Sequence, residues 1–167
     1  MSETSSISWI KWLVISLVVL VLDQWSKQWI LASLTLTEHI ELFPFFNIIH
    51  VHNYGAAFSI LSDQPGWQRW FLTIVTSVIS IVLLVWLRRL KASQKLLAFS
   101  LVFIIGGALG NLYDRVMYGY VVDFIDWHYN GYHWPAFNLA DAAICLGAVL
   151  LIVDTFKNPD LTKESNS

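Results

Sequence analysis

Apolar residues are concentrated in four long segments of this chain, and more polar connections separate them. A membrane-spanning helix needs about 20 predominantly apolar residues. Two of the segments, 71–87 and 96–112, contain no charged residue at all. They predict membrane helices at about 68–88 and 95–113.

The first and last apolar segments are shorter, because their uninterrupted runs cover only 12–22 and 142–153. To cross a bilayer, the first must continue over Asp23 and the last must enclose Asp141. The two short helices are therefore the two that carry an acid. We predict these helices at about 9–31 and 134–155.

Two of the connections have a pattern of their own. The segment from Glu41 to Ser62 is rich in Phe, Ile and Val and contains Pro44, so it predicts a small β-hairpin or sheet. With so little polar surface, we expect this element to rest on the membrane. The connection before the last helix carries aromatic residues that favour the lipid headgroup region, namely Trp127, Tyr129, Tyr132 and Trp134.

Composition agrees with a membrane protein. The chain has 167 residues, of which 56% are hydrophobic and 13% charged. The charged fraction is about half of that usual in soluble domains. A net charge of −2 argues against a nucleic-acid-binding protein, which needs a basic face. The N-terminal apolar stretch lacks a small-residue cleavage site, so we expect a retained helix.

The distribution of basic residues predicts the orientation. Seven of them lie in the termini and in the connection between the second and third helices: Lys11, Arg88, Arg89, Lys91, Lys95, Lys157 and Lys163. The other side carries Lys27, Arg69 and Arg115. The positive-inside rule then places both termini in the cytoplasm. The sequence thus predicts an all-α membrane protein with a small β element, folded as one domain over 1–167 with a disordered tail at 157–167.

Asp123 and Asp141 are the strongest candidates for chemistry. Acids at membrane depth are costly and mark functional sites by default. The structural alternative for each is an N-cap, which we accept for Asp126. For Asp141 that alternative is weaker, because a helix that starts there would be too short to span a bilayer. If the two acids meet, they share a proton and activate water as in an aspartic hydrolase.

Other polar groups have simpler interpretations. Asp23 and Lys27 lie four residues apart and read mainly as a snorkelling ion pair at the end of the first helix. The glycine-rich segment before Asp114 predicts close helix packing, which leaves Asn111 and Arg115 unexplained.

Cysteine, histidine and serine patterns are less informative. The single cysteine, Cys145, reads as a small apolar residue. His50 and His52 alternate on a predicted strand, with His39, His128 and His133 on the same side, but without HExxH we expect no metal site and no cofactor. A GxSxG serine motif is also absent.

Two alternatives to a hydrolase remain open at this point. One is an ion-coupled transporter, although all of the acids are predicted on one side of the membrane. The other is a lipid- or lipoprotein-binding scaffold, which would tolerate Asp123→Asn.

Five blocks, taken in order, resemble bacterial lipoprotein signal peptidase (signal peptidase II). They are DQWSK at 23–27, NYGAAFS at 53–59, GGALGNLYDR at 106–115, VVDFI at 121–125 and FNLADAAI at 137–144. Together they extend over nearly the whole chain except its ends. The resemblance implies four membrane helices, an extracytoplasmic β-cradle in the first loop and a short mobile helix in the third.

The resemblance also implies an activity and roles for individual residues. It implies a cofactor-free aspartic endopeptidase that acts as a monomer in the bacterial inner membrane, with its site at the outer leaflet. Its substrates would be diacylglyceryl-modified prolipoproteins, cut on the amino side of the lipidated cysteine. Asp123 and Asp141 become the catalytic pair. Substrate-binding or supporting roles are implied for Asn53, Asn111, Arg115 and Asn138, and structural roles for Asp23, Lys27 and Asp114.

Overall fold

The structure, a computed structural model, describes residues 8–55, 61–62 and 64–158. It contains four helices, α1 (Trp9–Ser33), α2 (Trp67–Arg88), α3 (Lys95–Met117) and α4 (Leu139–Lys157). All four are long and apolar enough to cross a membrane. The strands are β1 (His39–Phe43), β2 (Phe46–Asn53), β3 (Val121–Tyr129) and β4 (Tyr132–His133). The predicted fold class, four membrane helices with a small β element, is confirmed.

Helix α3 is the centre of the bundle, because α1, α2 and α4 all pack against it. Small residues make this possible. A Cβ on Gly106 would stand 2.9 Å from the carbonyl oxygen of Ser16 in α1, and one on Gly107 would overlap the carbonyl oxygen of Ala140 in α4. Glycine therefore lets both neighbouring backbones approach α3 closely, as the sequence predicts.

The strands form one antiparallel sheet in the order β1-β2-β3-β4. The first loop supplies β1 and β2, and the third loop supplies β3 and β4. The sheet is attached to the bundle through a buried apolar cluster of Ile30, Leu34, Val122 and Phe124.

The prediction of a short helix in the third loop is wrong. Residues 121–129 are rich in β-branched and aromatic side chains, and they pair with β2 instead. This pairing also covers an edge of β2 that would otherwise be open. After a turn at Asn130 and Gly131, the chain is extended again, since Trp134 N donates to Trp127 O and Phe137 forms a bridge with Ile125.

The fourth helix consequently begins at Leu139 and not near Trp134. Pro135 disfavours a helical conformation at the residue before it, and the helix is capped by Asn138. Of the predicted disordered tail at 157–167, Lys157 is the last residue of α4, and residues 159–167 lie outside the described residues. The predicted β segment up to Ser62 likewise includes residues 56–60, which lie outside them.

Candidate active site

Asp123 and Asp141 reach the same place from different elements. Asp123 lies on β3, and Asp141 lies in the first turn of α4. Asn138 joins them: its Nδ2 donates to Asp123 Oδ1 at 2.6 Å, and its Oδ1 accepts from Asp141 N at 3.0 Å. The two carboxylates therefore belong to one hydrogen-bonded cluster.

Asp141 is also part of a helix cap. Its Oδ2 accepts from Asn138 N at 3.3 Å, which completes a capping box. The argument that such a cap leaves too short a helix is wrong, because α4 continues past Val153 to Lys157. Capping and a chemical role are therefore compatible at this residue.

Both oxygens of each carboxylate accept a hydrogen bond. Asn53 Nδ2 donates to Asp123 Oδ2 at 3.0 Å, and Asn111 Nδ2 donates to Asp141 Oδ1 at 2.7 Å. With the two bonds from Asn138, each carboxylate is held in position at both oxygens. Fixed donors of this kind hold each carboxyl group in one orientation.

The environment of Asp123 favours a proton on this pair at neutral pH. Burial first and the nearby charge of Asp141 second raise the pKa of Asp123, to a net value of about 7. The amides of Asn53 and Asn138 lower the pKa, because they stabilise the ionised form. Two such neighbouring acids titrate as a unit.

Behind this cluster lies a buried charged triad of Lys27, Asp23 and Asp114. Lys27 Nζ is 2.8 Å from Asp23 Oδ2 and 2.8 Å from Asp114 Oδ2, and it donates to Asn111 Oδ1 at 3.0 Å. Lys27 is 1% exposed and both acids are fully buried. The interpretation of Asp23 and Lys27 as a snorkelling pair is therefore wrong.

Each acid of the triad also holds the backbone next to one member of the pair. Asp23 Oδ1 accepts from the N–H of Ala140, the residue before Asp141, at 2.9 Å. Asp114 Oδ2 accepts from the N–H of Val122, the residue before Asp123, at 3.4 Å. The triad thus connects α1 and α3 to the two segments that carry the candidate catalytic acids.

Arg115 lies on the same side of α3, where it is 9% exposed. Its Nη2 donates to Gly55 O at 2.8 Å, and its Nη1 lies 3.4 Å from Asn111 O. Its Nε has no hydrogen-bond partner among the described residues. Arg115 thus binds the backbone just beyond β2.

An apolar groove of about 580 Å³ leads to this cluster. Leu72, Thr76 and Ile79 of α2 line one side, and Ala142 and Cys145 of α4 line the other. The part between them comes from α3, and the segment from Trp134 to Phe137 also contributes. Asn53, Asn111, Arg115 and Asp141 are polar groups in this mainly apolar lining.

The histidines lie elsewhere in the sheet. His50 and His52 face the same way, with their Nε2 atoms 3.0 Å apart, while His50 Nδ1 is 3.0 Å from Leu34 O. His133 Nδ1 is 2.9 Å from Asp126 Oδ1. Within residues 8–55, 61–62 and 64–158, no three His, Cys, Asp or Glu side chains are grouped to hold a metal ion.

Asp126 is not an N-cap, contrary to the expectation from its position. It lies within β3 and accepts a hydrogen bond from Asn47 Nδ2 at 2.9 Å. The extended conformation of this segment removes the helix that Asp126 would have capped.

Sequence reasoning overlooked Gln24. Its Nε2 donates to Asp114 Oδ1 at 2.8 Å and to Gly110 O at 3.2 Å, and it also contacts Asp23 Oδ2. The signal was an amide side chain next to Asp23 within an apolar helix.

Comparisons with known proteins agree with the sequence blocks. A family model described as signal peptidase (SPase) II matches residues 15–157. The lipoprotein signal peptidase of Alteromonas mediterranea is 53% identical over 157 residues, covering 94% of this chain and 86% of that protein. That of Cellvibrio japonicus is 55% identical over 151 residues, covering 90% and 89%.

Two solved structures, both described as bacterial membrane enzymes, have a similar fold. One has a TM-score of 0.83 and 31% identity, and covers 96% of this chain and 95% of its own. The other has a TM-score of 0.79 and 32% identity, and covers 94% and 99%. The resemblance that the five blocks indicated is therefore confirmed.

Proposed function

The chain belongs to the signal peptidase II family, and from this premise we propose that it removes signal peptides from prolipoproteins, with Asp123 and Asp141 as the catalytic pair. The single observation that carries the assignment of these residues is the junction at Asn138. Its Nδ2 donates to the carboxylate of Asp123, and its Oδ1 accepts from the backbone N–H of Asp141, whose side chain lines an apolar groove.

The chemistry follows from one proton shared by two acids. The ionised carboxylate accepts a proton from water, which attacks the scissile carbonyl carbon. The protonated carboxyl donates to the carbonyl oxygen and stabilises the charge that develops there. When the tetrahedral intermediate collapses, the proton taken from water passes to the departing amine. Protein groups supply every step, so the reaction needs no cofactor.

The groove suits an amphiphilic substrate. Its apolar lining from α2, α3 and α4 would take the signal helix or acyl chains of a diacylglyceryl-modified prolipoprotein. The amides and acids at its polar end would then meet the bond on the amino side of the lipidated cysteine. The excess of basic residues at the opposite end of the bundle supports a site at the outer leaflet of the bacterial inner membrane.

The supporting residues fall into two groups. Asn53, Asn111 and Asn138 hold the carboxylate oxygens. Asp23 and Asp114 accept from the backbone N–H groups next to the two acids, and Lys27 binds both of these carboxylates. All of these residues come from one chain, which supports a monomeric enzyme.

Arg115 orients the substrate in this proposal. It anchors Gly55, and its remaining donors can form a charge-assisted hydrogen bond to a substrate carbonyl. Arg115→Lys should lose much of the activity, because lysine lacks the planar fork. Full activity in a folded Arg115→Lys enzyme would contradict this role.

The decisive experiment is cleavage of a diacylglyceryl-modified prolipoprotein by purified wild type, Asp123→Asn and Asp141→Asn. Both variants should lose cleavage, and wild type should be indifferent to EDTA. Asp126→Asn is the matched control, since Asp126 is a buried acid on the same strand that contacts Asn47 and His133 instead. Cleavage that survives either dyad substitution, or that chelation abolishes, would contradict the mechanism.

A further inference from the structure

Helix α2 is held to the rest of the protein by few contacts. Among the helices, only α3 packs extensively against it. Its buried residues are Gln68, Ser80 and Leu87. Leu87 belongs to the core cluster near the basic end, whereas the side chains of Gln68 and Ser80 bond to nearby backbone carbonyls of Gln64 and Thr76. The outer end of α2 therefore depends on a small number of links to α3.

Arg69 supplies such a link at that end. Its Nε donates to Arg115 O at 2.7 Å, and its Nη2 donates to Val116 O at 2.8 Å. Carbonyls in the last turn of a helix lack partners within the helix, and a cation there is favoured by the helix dipole. One guanidinium thus joins the start of α2 to the end of α3.

The surroundings of Arg69 fit a planar guanidinium. The group lies 4.8 Å from the ring centroid of Trp70. On another side it approaches Gly119, where φ is +87° and an added Cβ would stand 3.3 Å from Arg69 Nη1. A lysine in this position would retain the charge but not the fork that binds two carbonyls.

The position of Arg69 on α2 connects this link to the groove. Leu72 and Thr76, which line the groove, follow Arg69 by three and seven residues and so lie on the same side of the helix. The opposite wall is α4, which makes no comparable packing contact with α2 in the described residues. The tilt of α2 relative to α3 therefore determines the width of the groove.

We propose that Arg69 is a positioning residue that fixes the outer end of α2 on α3 and thereby sets the width of the α2–α4 groove. The inference rests on the proposed function, because the groove is where the apolar part of the substrate would bind. Arg69 does not touch the acids. Its loss therefore weakens binding of substrate and transition state alike, which raises KM and leaves kcat nearly unchanged.

The test combines kinetics with a distance measurement. Arg69→Met should raise KM by roughly tenfold, the effect of losing about 1.4 kcal/mol of binding, with kcat within about twofold. Arg69→Lys should recover only part of the loss. Arg88→Met is the matched control, since it removes a guanidinium at the other end of α2, where Arg88 lies over Trp9.

The second readout needs no catalysis. Spin labels at Phe71→Cys and Leu146→Cys, in a Cys145→Ser background, report the separation of α2 and α4 by pulsed electron resonance. Arg69→Met should broaden the distance distribution, and Arg88→Met should not. An unchanged distribution, an unchanged KM, or a loss confined to kcat would overturn the proposal. If wild type fails to cleave prolipoproteins, the proposed function fails, while the distances still decide the role of Arg69.

Discussion

Replacement of Lys27 by methionine tests the buried triad most directly. The change removes the only ammonium from a site where two carboxylates, Asp23 and Asp114, each lie 2.8 Å from it. Lys27 is 1% exposed, so water cannot take its place without rearrangement. Methionine keeps most of the apolar stem and is one atom shorter, so the variant removes the ammonium with little loss of apolar packing.

The expected loss of stability in Lys27→Met is large. Removing one partner of a buried ion pair costs about 3–5 kcal/mol, because the other charge stays buried without compensation. For a chain of this size, each kcal/mol lowers Tm by about 2–4 °C, so a fall of roughly 6–20 °C is expected.

The assay is thermal unfolding of purified protein in detergent, followed by tryptophan fluorescence at fixed heating rate. Lys91→Met, at an exposed lysine between α2 and α3, is the matched control and should change Tm by no more than about 2 °C. A second arm combines Lys27→Met with Asp23→Asn and Asp114→Asn. This triple variant should be more stable than Lys27→Met alone, because no uncompensated charge remains.

Two results would refute the reasoning. A Lys27→Met protein with wild-type Tm at pH 8 would mean that the triad contributes no net electrostatic stabilisation. A triple variant less stable than Lys27→Met would mean that the carboxylates matter through their hydrogen bonds to the backbone and not through their charge.

Three further predictions concern the proposed catalytic cluster and its support. In the pH profile of kcat/KM, the alkaline limb should lie near pH 7, where the shared proton is lost. Asn53→Ala should move this limb to higher pH, because it removes a donor that favours ionised Asp123. Asn47→Ala, which alters an amide of the same strand that binds a different acid, should leave the limb in place. Asn138→Ala should lower the free energy of unfolding by about 1 kcal/mol, because a helix cap is lost, and it should also lower kcat. Asn138→Ser should restore Tm but not kcat, since serine caps the helix without reaching the carboxylate of Asp123. Finally, Gly107→Ala should lower both Tm and activity, because the added methyl overlaps the backbone of α4; wild-type values for this variant would show that the two helices have room to separate.

The helices were predicted well because lipid imposes a simple requirement on sequence. A spanning segment must be apolar for about 20 residues, and the four observed helices satisfy this requirement. The beginning of α4 was misplaced because length was the only guide there. The cap at Asn138 depends on the extended segment before it, and that segment is held by pairing with β3.

The candidate acids were found, but their partners were not all assigned correctly. Asp123 and Asp141 were singled out because charge near an apolar helix is costly. Asp126, a similar acid three residues beyond Asp123, was assigned to a helix that does not exist. Lys27 was expected to reach the membrane surface, because its burial depends on Asp114, which lies far away in sequence.

By itself, the sequence determined that the chain has four membrane helices, that acids accompany its two shorter apolar runs, and that its ordered blocks are those of signal peptidase II. These properties depend on local composition and spacing, which can be read without coordinates. Only the tertiary structure decided that residues 121–129 form the third strand of the sheet, and that Asn138 lies between Asp123 and Asp141. Strand pairing and hydrogen-bond partners join residues that are distant in the chain, and the folded backbone alone brings those residues within reach of each other.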